Sequence, residues 1–197
     1  MTDICWCLNL FYMKNKDVEY LEFKIDNLYG YSNPERDENY SDLYVKIICD
    51  DKVIGTMKGV LFNAFYGNQV YDALDYHSLD YSALCEALTY NDEYDEYVAP
   101  WEEDCVANKF IAIGEILLDE EYRGLGITNR LIDWLDKLFN APMLLLAFPL
   151  QYCSKANPNP PKKGLREAKK KVVQAYMKCG FTRSKPKSDI LYRMPNF

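Results

Sequence analysis

The period of hydrophobic and polar positions changes several times along this chain, and each change marks an element. From Phe110 to Leu118 nearly every side chain is apolar or small, the pattern of a strand buried on both faces. An acidic turn and the glycine-bearing stretch Arg123-Gly124-Leu125-Gly126-Ile127-Thr128 follow. Ile127, Leu131, Trp134, Leu135 and Leu138 then recur at helical spacing with Arg130, Asp133, Asp136 and Lys137 between them, which predicts an amphipathic helix. Met143 to Phe148 reads as a second buried strand. Leu165, Ala168, Val172, Ala175, Tyr176 and Cys179 form the apolar face of a second helix, with Gly180 placed to end it. Phe181 to Arg183 and Ile190 to Met194 read as a closing hairpin.

Upstream, Ile4 to Met13 and Val18 to Leu28 read as strands, and residues 30 to 41, with Gly30 and Pro34 among charged and amide side chains, as an exposed loop. Leu43 to Cys49, Asp50-Asp51 and Val53 to Phe62 read as a β-hairpin with an acidic turn. Val70 to Tyr90 carries Leu74, Leu79, Ala83, Leu84, Ala87 and Leu88 and reads as helical, with a break at His77-Ser78 and Asp80 as a cap for the second part. The proline-bearing stretch Tyr152 to Gly164 is a loop. No repeat and no sharp linker divides the chain, so residues 1–197 form one domain with a helical and acidic insertion at about 66–108.

Composition narrows this picture. Hydrophobic residues make up 49% and charged residues 27%, so the chain can bury a core and is not disordered over most of its length. No run of apolar residues is long enough to span a membrane, and the N-terminus lacks the early basic residues of a signal peptide. The seven cysteines are odd in number and scattered, which fits reduced thiols in a cytoplasmic protein. The net charge of −7 conceals segregation: between Lys58 and Lys109 there are eleven acids and no Lys or Arg, whereas Lys155 to Phe197 holds twelve basic residues and two acids.

The glycine stretch carries the most specific chemistry. A strand running through glycines into a helix start presents free backbone N–H groups beside the positive end of the helix dipole, an arrangement that takes phosphate. Here the flanks resemble the acetyl-CoA signature of the GNAT superfamily of N-acetyltransferases, Arg/Gln-x-x-Gly-x-Gly/Ala, with Arg123, Gly126 and Thr128 at the named positions and Tyr122 preceding them. Thr128 departs from the usual small final residue. Downstream, AYMKCGF at residues 175–181 resembles the Tyr-x-x-x-Gly-Phe segment that ends the superfamily's second cofactor-contacting helix. The resemblance implies an α/β (α+β) fold with a mixed, mostly antiparallel twisted sheet flanked by helices, and a splayed parallel strand pair at the cofactor site. It further implies that the backbone of Ile116, Leu117 and Leu118 pairs with the pantetheine arm. The amides of Gly124, Leu125, Gly126, Ile127 and Thr128 would hold the pyrophosphate, with Arg123 and Asn129 nearby. Tyr176 occupies the position that protonates the leaving thiolate.

Acyl transfer to an amine also needs the amine deprotonated. Glu115, the one acid between Phe110 and Leu118, is the candidate base, and ordered water is the alternative. His77 is the only histidine and sits beside the helix break, a position better suited to surface or capping than to catalysis. The strand after the cofactor helix runs into Ala147-Phe148-Pro149-Leu150-Gln151 with no carboxylate, where relatives often place a Glu or Asn near its end. The acids from Asp92 to Asp104, interleaved with Tyr94, Tyr97 and Trp101, read either as a solvated loop or as a lid gathering a cationic amine against aromatic faces. The partners expected are therefore acetyl-CoA and a primary amine, on a cationic small molecule or a basic protein, with no metal and no membrane and with a homodimer left open. A catalytically weak module binding acyl-CoA or a protein is the alternative. The lysine-rich segment from Lys162 is too isolated a signal, in an acidic chain, to argue for nucleic acid.

Overall fold

The computed structural model describes residues 20–33, 38–63, 67–77, 79–101, 108–149 and 162–196. The strand expected at Ile4 to Met13 and most of the loop expected at Tyr152 to Gly164 lie outside these residues. Nine strands are described: β1 Leu21–Asn33, β2 Glu38–Cys49, β3 Lys52–Phe62, β4 Thr89–Asn91, β5 Glu96–Val98, β6 Phe110–Leu118, β7 Met143–Leu146, β8 Thr182–Arg183 and β9 Ile190–Arg193. Three longer helices accompany them, α1 Gly67–His77, α3 Ile127–Phe139 and α4 Lys162–Lys178, together with the four-residue α2, Leu79–Ser82.

Seven strands form one mixed sheet in the order β1-β2-β3-β6-β7-β9-β8, antiparallel throughout except for the parallel pair β6 and β7. Asp50 (φ 49°) and Asp51 (φ 61°) both adopt the left-handed conformation that a two-residue hairpin requires, which closes β2 onto β3. Residues 30–33 and 38–41 of the expected loop are paired strand, and 34–37 lie outside the described residues. Gly30 pairs with Ser41, Tyr31 with Tyr40 and Asn33 with Glu38, so β1 and β2 continue as a long ribbon. Local polarity misleads there because tyrosines with strand preference are interspersed among the charges, and pairing supplies the backbone hydrogen bonds.

Around Phe110 to Ile113 the sheet is covered on both faces, whereas Gly114 to Leu118 are part-buried or exposed, so the apolar run of β6 is buried only in its first half. Ile111 and Ile113 of β6, with Met143 and Leu145 of β7, pack on one side with Ile127, Leu131 and Leu135 of α3 and Val173 of α4. Phe110, Ala112 and Leu144 face the other side, against Val70, Leu74, Leu84 and Trp101. The insertion therefore builds the second layer rather than hanging off the fold. The break expected at His77-Ser78 falls on Ser78, which lies outside the described residues, and Asp80 belongs to α2. Ala83–Ala87 tightens to a 3-10 turn and Tyr90 enters β4, so the helical reading runs too far. Strand β7 ends at Leu146, short of Phe148, and α4 already includes Lys162 to Gly164. Cys49, Cys85 and Cys179 are free thiols. Among the described residues no helix is long and apolar enough to cross a membrane.

Candidate functional site

The site begins where β6 leaves its parallel neighbour. The pair is joined at Ile111/Met143, Ala112/Leu144 and Ile113/Leu145 and no further. On the other edge, the register against β3 slips between Lys58/Glu115 and Gly59/Ile113, leaving Gly114 as an extra residue, a β-bulge. The bulge thus falls where the pairing with β7 ends. Beside it is a cavity of about 420 Å³ that includes Lys58, Tyr81, Gly114, Glu115, Ile116, Leu146, Phe148 and Tyr176 in its lining.

Tyr176 and Glu115 thus come together from elements far apart in sequence. Tyr176 is set by the way α4 ends. Gly180 is left-handed (φ 83°), its N–H donates to Met177 O at 3.1 Å, and the Phe181 N–H donates to Tyr176 O at 3.2 Å. These two bonds define a Schellman cap, and the edge-on contact of the Phe181 and Tyr176 rings (5.7 Å between centroids) is its hydrophobic partner. The spacing Tyr-x-x-x-Gly-Phe is therefore a helix stop that also fixes the tyrosine. Burial, and secondarily the neighbouring Cys179, pushes the Tyr176 phenol up to about 12, so it stays protonated at neutral pH.

Glu115 is only part-buried, and Lys58 Nζ approaches its Oε1 at 2.9 Å. The Lys58 ammonium is the partner described for this buried oxygen. The carboxylate holds Lys58 above the ordinary lysine value. Lys58 was not anticipated, because the bulge at Gly114 decides which β3 residue faces Glu115. Tyr81 was also missed. A Cβ added at Gly114 would lie 2.7 Å from the Tyr81 hydroxyl, so this ring from the insertion stands directly over the bulge.

The glycine loop lies outside the cavity lining, with Ile116 and Leu118 leading towards it along β6. Gly124 (φ 82°) and Gly126 (φ 75°) are both left-handed, and a Cβ at either would meet nothing within 4 Å. Gly126 is the N-cap of α3, and no side chain caps it. The first amide to bond back is that of Arg130, on Gly126 O at 3.3 Å, leaving those of Gly126, Ile127, Thr128 and Asn129 without an acceptor in the structure. Open space and uncapped donors fit an anionic group. The side chains are otherwise engaged. Arg123 Nε donates to Leu118 O (3.0 Å), Asn129 Nδ2 donates to Asp133 (3.2 Å), Ile127 is buried and Leu125 packs on the core. Leu117 is exposed and Thr128 part-buried. Asp119 and Glu121 stand nearby, and Lys52 offsets both, at 3.9 and 3.2 Å.

The aromatic residues expected in a cation-gathering lid divide. Trp101 is buried in the second core and Tyr97 stacks on Tyr71 (4.2 Å), so neither is open to an amine; Tyr94 is exposed. Around them β4 and β5 form a two-stranded hairpin, with Asp95 accepting from the Tyr90 hydroxyl. No known family pattern and no curated protein sequence matches the chain.

Proposed function

We propose that the protein is an acetyl-CoA-dependent N-acetyltransferase in which a primary amine attacks the thioester directly in a ternary complex. The observation that carries the reading is a cavity where the pairing of β6 with β7 ends, holding a protonated tyrosine and a carboxylate whose described partner is the exposed Lys58. The uncapped start of α3, one strand away, supplies donors for phosphate oxygens. Acetyl-CoA supplies the activated acyl group. Glu115 accepts the proton that the amine must lose, and Tyr176 gives a proton to the departing sulfur. The walls of the cavity hold the two reactants together and exclude water. A second reading, a module that binds acyl-CoA without transfer, draws on the contact between Lys58 and Glu115, which occupies the base.

Calorimetry with acetyl-CoA tests the cofactor site. The wild type is expected to bind in the micromolar range and Gly126→Trp to lose at least about tenfold, because the indole fills the open space over the loop. Thiol release in the presence of amines then separates the two readings. A folded wild type that ignores acetyl-CoA rules out both.

A further inference from the structure

We infer that the acceptor is a small zwitterion, an α-amino acid with an apolar side chain, whose ammonium docks on Glu115 and whose carboxylate docks on Lys58. This rests on the acetyltransferase reading above and specifies its substrate. Among the described residues lining the cavity, Lys58 and Glu115 are the only charged pair, one cation beside one anion. Glu115 Oε1 is buried and the Lys58 ammonium is the partner described for it, so a ligand ammonium can take that place on the carboxylate. Lys58 lies 2.9 Å away, yet its side chain is 61% exposed, and a pair so open to water contributes little and exchanges readily for a ligand. An α-amino acid carries the complementary charges separated by one carbon and can replace each half of the pair with its own opposite charge.

The rest of the lining is apolar, with Leu84, Ile113, Ile116, Leu145, Leu146 and Phe148, and Tyr81 closes the space over the bulge. A volume of about 420 Å³ stands near the lower end of the range of roughly 300–1,000 Å³ for small-ligand sites. A polyamine would set further cations against Lys58 and apolar walls, with no second carboxylate among the described lining residues. The acids of the insertion's hairpin are not part of it.

The step balances as follows. The ammonium gives one proton to Glu115 Oε1, and the freed nitrogen lone pair forms the C–N bond as the C–S bond breaks. The nitrogen loses its second proton to water as the amide forms. The thiolate takes the Tyr176 proton, and the phenolate is restored by the proton that Glu115 returns through solvent.

The test is thiol release by the full chain with acetyl-CoA and matched acceptors: L-leucine and L-phenylalanine, their decarboxylated counterparts isopentylamine and phenethylamine, spermidine, and a lysine-bearing peptide. The amino acids are expected to exceed their decarboxylated counterparts in kcat/KM by about tenfold or more, because the analogue leaves Lys58 unmatched. Lys58→Met is expected to collapse that ratio and Lys58→Arg to retain most of it. Preference for phenethylamine, spermidine or the peptide overturns the inference, as does a ratio unchanged in Lys58→Met. Acetyl-CoA binding by calorimetry, on the same sample, separates the failures. Binding without release from amino acids overturns this inference alone, whereas no binding overturns the acetyltransferase reading with it.

Discussion

Tyr176 is the residue whose ionisation is coupled most clearly to the fold. Its phenol is raised from 10.0 to about 12 by burial, so between those values the folded chain holds a proton that the unfolded chain has lost. Stability must therefore fall as pH rises through that window, and be unaffected by this group below it. Urea denaturation at pH 9 and pH 11 should show the wild type losing about 1 kcal/mol more than Tyr176→Phe over the same interval. Equal losses in the two proteins would mean that the phenol is not desolvated. At this scale the sequence was partly legible. Tyr176 stands in a spacing that a Schellman cap imposes, and Glu115 is the one acid in an apolar strand, so both could be picked out from type and position. Lys58 and Tyr81 could not. Their places depend on a one-residue slip at Gly114 and on a helix folded back from the insertion, and neither leaves a local pattern.

Between elements, α3 is fastened to the far end of the sheet by a buried clasp. Arg193 of β9, 6% exposed, donates through Nη2 to Asp133 Oδ1 (2.9 Å) and to Asp136 Oδ2 (3.1 Å). Asp136, 5% exposed, also accepts from the Asn196 N–H and Nδ2. The clasp sets the axis of the helix whose N-terminus meets the glycine loop. Asp136→Ala takes one of two carboxylates from the buried Arg193 guanidinium and the acceptor from Asn196, and is expected to cost about 3 kcal/mol, read from the denaturation midpoint. Asp133 is 45% exposed, and Asp133→Ala should cost about 1 kcal/mol or less. Similar small costs for both would show that the pair does not fasten the helix. Asp136 also marks a limit of pattern reading. It falls between apolar positions of α3 and reads as solvated, because periodicity cannot foresee a buried partner contributed by the last strand. The ribbon of β1 and β2 escapes pattern reading for a related reason: the hydrogen bonds that pair residues 30–33 with 38–41 run between strands, whereas polarity is read along the chain. The helices and the continuous apolar strands were legible because burial on one or both faces writes a period into the sequence.

For the molecule as a whole, the insertion matters most. Alternate residues of β6 and β7 serve two cores, Ile111 and Ile113 on the helix side, Phe110 and Ala112 on the side of the insertion, so the layers share one set of strands. Trp101, 2% exposed and packed against Phe110 (5.5 Å between centroids), anchors the insertion layer, and the same layer carries Tyr81 and Leu84 into the cavity. The glycine loop and α3 belong to the other layer. Trp101→Ala should therefore cost about 3–5 kcal/mol of stability, and its effect on the site should be one-sided. Acceptor KM is expected to rise, because the wall formed by Tyr81 and Leu84 loosens, while acetyl-CoA affinity measured by calorimetry stays within about twofold. A parallel loss of acetyl-CoA affinity would show instead that the shared strands transmit the damage from one face to the other. In that case the insertion supports the whole site rather than shaping its acceptor side.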